Sequence, residues 1–263
     1  MRFLGCASIL AMALLGGAAG AAQEAESGVV HVNGVRNPET HPYRAIVAGL
    51  DSFDEHHALA PNAPGLLFQA RTRGGRLLRP EMLKTGAMGA RLSGDAFSLA
   101  LPLDEEGRFE VPRSQRALDA DAELVMSKKH SAVRVWPYVR SPGLGEDQRR
   151  LGDIRLECRV FTTIAKKEAP LHLVLLANAA MLGSDWCAAL NDRQRTWSVF
   201  TPARLVSAVL HDGGRSMALK VNDSAFRVPI GDTSWSNDAI VELEYAAPAE
   251  PSQPTLSMKE AAP

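Results

Sequence analysis

The chain has 263 residues, 46% of them apolar, with 29 basic against 30 acidic side chains. That is enough apolar surface for one large domain or two small ones, and it excludes a chain disordered throughout. The near balance of charge argues against a broad cationic field for nucleic acid or an anionic membrane, while leaving room for local patches.

The first stretch, MRFLGCASILAMALLGGAAGAAQEAE, has one early cation, Arg2, then an apolar run over 3–15, then small residues over 16–22. That order predicts a secretory signal peptide over 1–22, cut near Ala22, and a secreted or periplasmic protein. The apolar run is short of the roughly 20 residues that span a bilayer, so no transmembrane segment is expected in the mature chain. Cys6 lies near the start of the apolar run, ahead of the expected cut, and leaves with the signal. Two cysteines remain, Cys158 and Cys187. In an oxidising compartment an even pair is most simply a disulfide, worth roughly 3–4 kcal/mol by loop entropy, the alternative being two buried thiols.

Residues 23–63 are expected to be a lead-in followed by a helix. The lead-in is polar and turn-rich, with one short strand over 29–32. The stretch 43–59 carries Ile46, Leu50, Phe53 and His57 at helical spacing, bounded by Pro42 and Pro61. From 64 to 170 the period becomes that of strands. In 95–112, Phe97, Leu99, Leu101 and Leu103 share a face, DEEG turns the chain, and Phe109 and Val111 return, which predicts a hairpin. AELVMS and AVRVWPYV predict a second pair around KKHS, with Pro137 marking an edge strand. RRLGDIRLECRVFTTI (149–164) alternates apolar Ile154, Leu156, Cys158, Val160, Thr162 and Ile164 with Asp153, Arg155, Glu157 and Arg159. This predicts a strand with one buried and one wet face.

LHLVLLANAAMLG is an unbroken apolar run that periodicity cannot assign; we expect a buried strand to Ala177, then an irregular piece carrying Cys187. Strand signals resume with a hairpin turning at HDGG and with DAIVELEY near the end. Residues 246–263, with four prolines, are expected to be a disordered tail. The fold class is therefore mainly β: an antiparallel β-sandwich over 64–170, continued over 171–245 or followed there by a second β unit, with one N-terminal helix.

The segment MGARLSGDAFSLALPLDEEGRFEVP, through Asp104, Gly107 and Phe109, resembles carboxypeptidase regulatory-like or transthyretin-like β-sandwich domains. The whole chain is similar to uncharacterised secreted proteins of Gram-negative bacteria. The resemblance implies a support or binding domain and carries no catalytic residue onto this sequence.

The densest set of metal-ligating side chains is DSFDEHH (51–57), with Asp54, His56 and His57 as candidate ligands. His56 and His57 are adjacent rather than four apart, so a distant ligand such as His31 or His41 would be needed. Arg140, Arg149 and Arg150, in the loop VRSPGLGEDQRR, are candidates for binding an anion or a partner. No nucleophile elbow, phosphate loop or dinucleotide fingerprint occurs. The expectation is a non-enzymatic binding or structural protein of the cell envelope, its partner a protein or an anionic envelope ligand, with no nucleic acid and no cofactor. The alternative is an envelope hydrolase, metal-assisted through the 51–57 segment.

Overall fold

The computed structural model describes residues 35–84, 86, 88–191 and 195–247. The expected signal peptide, the strand over 29–32, His31 and nearly all of the expected tail lie outside these residues. In chain order the elements begin with β1 (Pro38–Pro42), α1 (Tyr43–Glu55), β2 (Leu67–Thr72) and α2 (Pro80–Lys84). There follow β3 (Ala90–Gly94), β4 (Phe97–Leu101), β5 (Arg108–Phe109), α3 (Gln115–Asp119), β6 (Glu123–Lys129), β7 (Val133–Tyr138) and β8 (Gln148–Arg150). Two helices come next, α4 (Leu151–Glu168) and α5 (Leu171–Ala180). The rest is strand: β9 (Trp197–Phe200), β10 (Leu205–Asp212), β11 (Arg215–Ala218), β12 (Lys220–Asn222), β13 (Ala225–Val228) and β14 (Ile240–Tyr245). A 3-10 turn, His57–Leu59, closes α1.

The chain is mainly strand, and the pairings are antiparallel. Among the described residues the strands form four open sheets, in the orders β1-β6-β3-β4, β5-β2-β7, β11-β10-β14-β8 and β12-β13-β9. Five α-helices stand among the described residues where one was expected. The hairpin expected over 95–112 does not form: β4 pairs with β3, and β5 with β2 in another sheet. The acidic turn still works locally, because Asp104 Oδ1 accepts the amides of Glu106 at 2.9 Å and Arg108 at 2.8 Å while Gly107 takes φ +75°. It hands the chain from one sheet to the next rather than back along itself. The expected pair around KKHS parts in the same way, with β6 joining β1 and β3, and β7 joining β2. The alternation within β7 is as read: Val133, Val135 and Pro137 are buried, and this strand is a sheet edge.

The described residues form two hydrophobic cores. The first gathers Tyr43, Ile46 and Phe53 of α1 with Phe68, Leu92, Phe109, Leu124 and Met126. The second gathers Leu205, Leu210, Phe226, Val228, Trp235, Val241 and Leu243. Helix α4 serves both.

This helix departs furthest from expectation, since the alternation over 149–164 predicts a strand. Successive residues on a helix turn by about 100°, so a step of two turns it by about 200°, and a step of four returns nearly to the same side. Leu156, Val160 and Ile164 form one such column and enter the first core. Ile154 and Cys158, with Leu151, form another on roughly the opposite side and enter the second. A helix with a core on each side therefore shows the alternation of a strand. The charged residues do not form a wet face either. Buried Asp153 accepts the Ser141 amide and hydroxyl, both at 2.7 Å. Buried Glu157 accepts the Val139 amide at 2.9 Å and Arg149 at 2.8 Å. Arg155 donates to the carbonyls of Ile230, Asp232 and Trp235 and to Asn237 Oδ1.

Candidate functional site

Helix α4 ends at Glu168 and is capped by Ala169, whose extended ψ of 144° leads into Pro170. The run expected as a buried strand then becomes α5. Leucine and alanine dominate it and Val174 is its one β-branched residue, a composition that favours helix. None of its side chains is buried. Leu171, Leu173, Leu175 and Leu176 keep 73, 49, 58 and 67% of their surface exposed, and Leu182 just beyond keeps 90%. Scattered exposed leucines are ordinary, but four on one ten-residue helix form a patch of the kind that marks an interaction site. Val174, Ala177 and Asn178 are half-buried and mark the side nearest the body.

The base of α5 is held firmly. The Cys158–Cys187 disulfide ties the segment after α5 to the middle of α4. Arg159 pairs with Asp185 at 2.7 Å, and Asp185 accepts the Ala188 amide at 2.9 Å. Burial would raise the Asp185 carboxyl, but the Ala188 amide and the Arg159 guanidinium outweigh it and hold the group below the usual carboxylate range. Trp186 Nε1 donates to Asn178 Oδ1 at 2.8 Å, and Lys166 lies 4.8 Å from the Trp186 ring centre while donating to the Ser184 carbonyl. Burial pushes the Lys166 ammonium down from its ordinary value against the opposing Asp185 carboxylate, with Arg159 acting in the same direction as burial.

The residues singled out from sequence lie elsewhere and have other partners. Asp54 and Asp51 bind Arg113 at 2.6 and 2.5 Å. His56 Nδ1 bonds the Ser52 carbonyl and His57 Nε2 the Ala63 carbonyl, both at 3.0 Å. Among the described residues, no group of three or more His, Cys, Asp or Glu side chains is placed to hold a metal. Arg140 donates to the carbonyls of Leu144, Gly145 and Gln148, closing its own loop. Arg149 is buried against Glu157, and Arg150 reaches Asp238 at 2.6 Å and the Leu59 carbonyl at 2.7 Å.

A charged cluster escaped the sequence reading. Glu39, only 1% exposed, accepts His41 Nε2 at 3.2 Å, Arg134 at 2.9 Å, and His130 Nδ1. His41 Nδ1 in turn meets Glu168, the last residue of α4, at 2.6 Å. Burial would lower His41, but the two carboxylates outweigh it and raise the imidazole to about 9. Burial would raise Glu39, but the His41, Arg134 and His130 contacts hold it below its usual range. The cluster clamps β1 to the end of α4. The adjoining cavity, lined by His41, Phe68, Phe161, Ile164 and Glu168 among others, is about 70 Å³, too small for an organic substrate. Two open clefts are larger, about 380 Å³ beside Arg155 and Trp235 and about 480 Å³ beside Arg76 and Asp223. Neither lining includes a histidine to serve a nucleophile as base.

Comparison with family models, with curated protein sequences and with solved structures finds no match to this chain.

Proposed function

We propose that this is a non-enzymatic secreted or periplasmic protein of the cell envelope, a β-sandwich-type scaffold that presents α5 to an apolar partner surface. One observation carries the reading: four leucines of α5 face solvent while its base is pinned by a disulfide, an ion pair and the Trp186–Asn178 bond. A patch held this rigidly loses little conformational entropy on docking. The disulfide is in keeping with an oxidising compartment, and the order of charge, apolar run and small residues over 1–22 is in keeping with export. The bonds made by Asp54, His56 and His57 lend no support to a metal-assisted hydrolase.

The test is fractionation of cells producing the wild type and the double variant Leu175→Asp/Leu176→Asp. The wild type is expected in the envelope fraction and the variant in the soluble fraction, with equal melting temperatures because both side chains are exposed. Equal distribution of the two would overturn the reading.

A further inference from the structure

The occupant of the α5 surface can be argued from the helix and its flanks. Residues 169–184 contain no Asp, Glu, Lys or Arg, and His172 is the one titratable side chain in the stretch. The exposed leucines do not form a stripe. At about 100° per residue, Leu171 and Leu175 lie close together, but Leu176 and Leu173 carry the exposed leucines round more than half of the helix, with exposed His172 at its N-terminal end inside that arc. A second helix buries one stripe and would leave the rest wet. A hydrocarbon phase covers the whole exposed arc at once, leaving the side of Val174, Ala177 and Asn178 to the body. A helix suits such a phase because its backbone groups are satisfied internally.

The anchoring of the helix points the same way. The Trp186–Asn178 and Lys166–Ser184 bonds tie the C-terminal end of this ten-residue helix back to the end of α4, so α5 lies along the body and can sink its exposed side into one leaflet without crossing. No described helix is long and apolar enough to cross a membrane.

Charge at the base completes the pattern. Of the charges there, Arg159 is matched by Asp185, and Glu168 by His41. Lys166 feels the Asp185 carboxylate and donates to the Ser184 carbonyl, while Lys167 is exposed and makes no ion pair with the described residues. Trp186 sits against Lys166. Cations and an indole at the foot of an apolar helix match the headgroup layer of an anionic bilayer.

The far end adds an independent sign. Leu182 adopts φ +55°, with its amide bonded to the Ala179 carbonyl and the Gly183 amide to the Asn178 carbonyl. This helix-ending motif usually places glycine where Leu182 stands. The leucine there packs against nothing in the monomer that would offset the left-handed conformation.

We propose that α5 and Leu182 insert into one leaflet of an anionic phospholipid membrane, with Lys166, Lys167 and Trp186 at the headgroup level. This rests on α5 being a docking surface and names what it docks to. The described residues from 35 on belong to one compact unit, and the chain from residue 23 is used, without the apolar run over 3–15. Its flotation is measured with vesicles of phosphatidylethanolamine and phosphatidylglycerol at 7:3, and with phosphatidylcholine alone. The expected result is binding to the anionic vesicles, at least tenfold weaker in Leu175→Asp/Leu176→Asp and several-fold weaker in Lys166→Gln/Lys167→Gln or in 0.5 M salt. Leu182→Gly should also bind several-fold more weakly while melting no lower than the wild type. Absence of vesicle binding, or equal binding by the leucine variants, would overturn the membrane assignment. So would a concentration-dependent dimer lost in Leu175→Asp/Leu176→Asp, which would make the occupant a second copy. If vesicles fail but that variant still leaves the envelope fraction, the lipid assignment falls and α5 docking stands. If both fail, both fall.

Discussion

Removing the disulfide should cost more than the sulfur contact alone, and the structure gives the size of the loss. Cys158 and Cys187 are separated by 29 positions. On the loop-entropy relation, leaving that loop open in the unfolded chain costs about 3.6 kcal/mol near room temperature. Both side chains are buried in the second core, so Cys158→Ala/Cys187→Ala also leaves a small void there, adding ~1 kcal/mol. The expected total is ~4–5 kcal/mol, a large share of the stability of an ordinary domain. Urea unfolding of the chain from residue 23, followed by circular dichroism, measures it. Hydrogen exchange supplies a local readout: amides over 171–190 should lose protection before those of β10 and β14, because the bridge holds the segment after α5 against α4. A loss below ~1 kcal/mol, with exchange over 171–190 unchanged, would refute the reasoning, since the unfolded chain would then gain no measurable freedom from losing the bridge.

Two further outcomes follow from the packing. The His41 imidazole is raised to about 9 by Glu168 and Glu39, so its contribution is fully present below about pH 6.5 and is lost as pH rises through about 9; by linkage it amounts to at most ~3 kcal/mol. Glu39 is held low, so its contribution is present above the ordinary carboxylate range and is lost as pH falls through its folded value. His41→Asn should therefore flatten the alkaline limb of urea midpoint against pH; an unchanged limb would mean the pair carries no net stability. Gly152→Ala, in the first turn of α4, should destabilise by ~2 kcal/mol although alanine favours helix, because its Cβ would lie 2.0 Å from the Leu59 carbonyl oxygen and 3.0 Å from that of Asn237. A raised melting temperature would show that these backbones give way.

The parts of the fold that were readable from sequence are those whose cause is local. The β10–β11 hairpin follows from HDGG, with Gly213 at φ +60°, and the inward Val241 and Leu243 of β14 follow from simple alternation. The Cys158–Cys187 pairing followed from there being two cysteines left. What could not be read depends on partners far along the chain. A period of two over 154–164 fits a strand between core and water, and equally a helix between two cores; only the second core, built largely by residues after 197, separates them. The Glu39 cluster joins positions 39, 41, 130, 134 and 168, and no spacing rule links them. For α5 the composition held the helix, but a run of leucines is the same string of letters whether it faces a core or the solvent.

The position of α4 has a consequence for the order in which the molecule can be made. Leu156, Val160 and Ile164 line a core whose other members come almost wholly from earlier in the chain, so as synthesis proceeds the N-terminal strands must wait with an open side until this helix emerges. The helix must then wait in turn, with Ile154 and Cys158 uncovered, until β14 arrives more than eighty residues later. A chain halted anywhere between those points would display one or the other surface, and that interval is when a nascent molecule most needs a chaperone's cover.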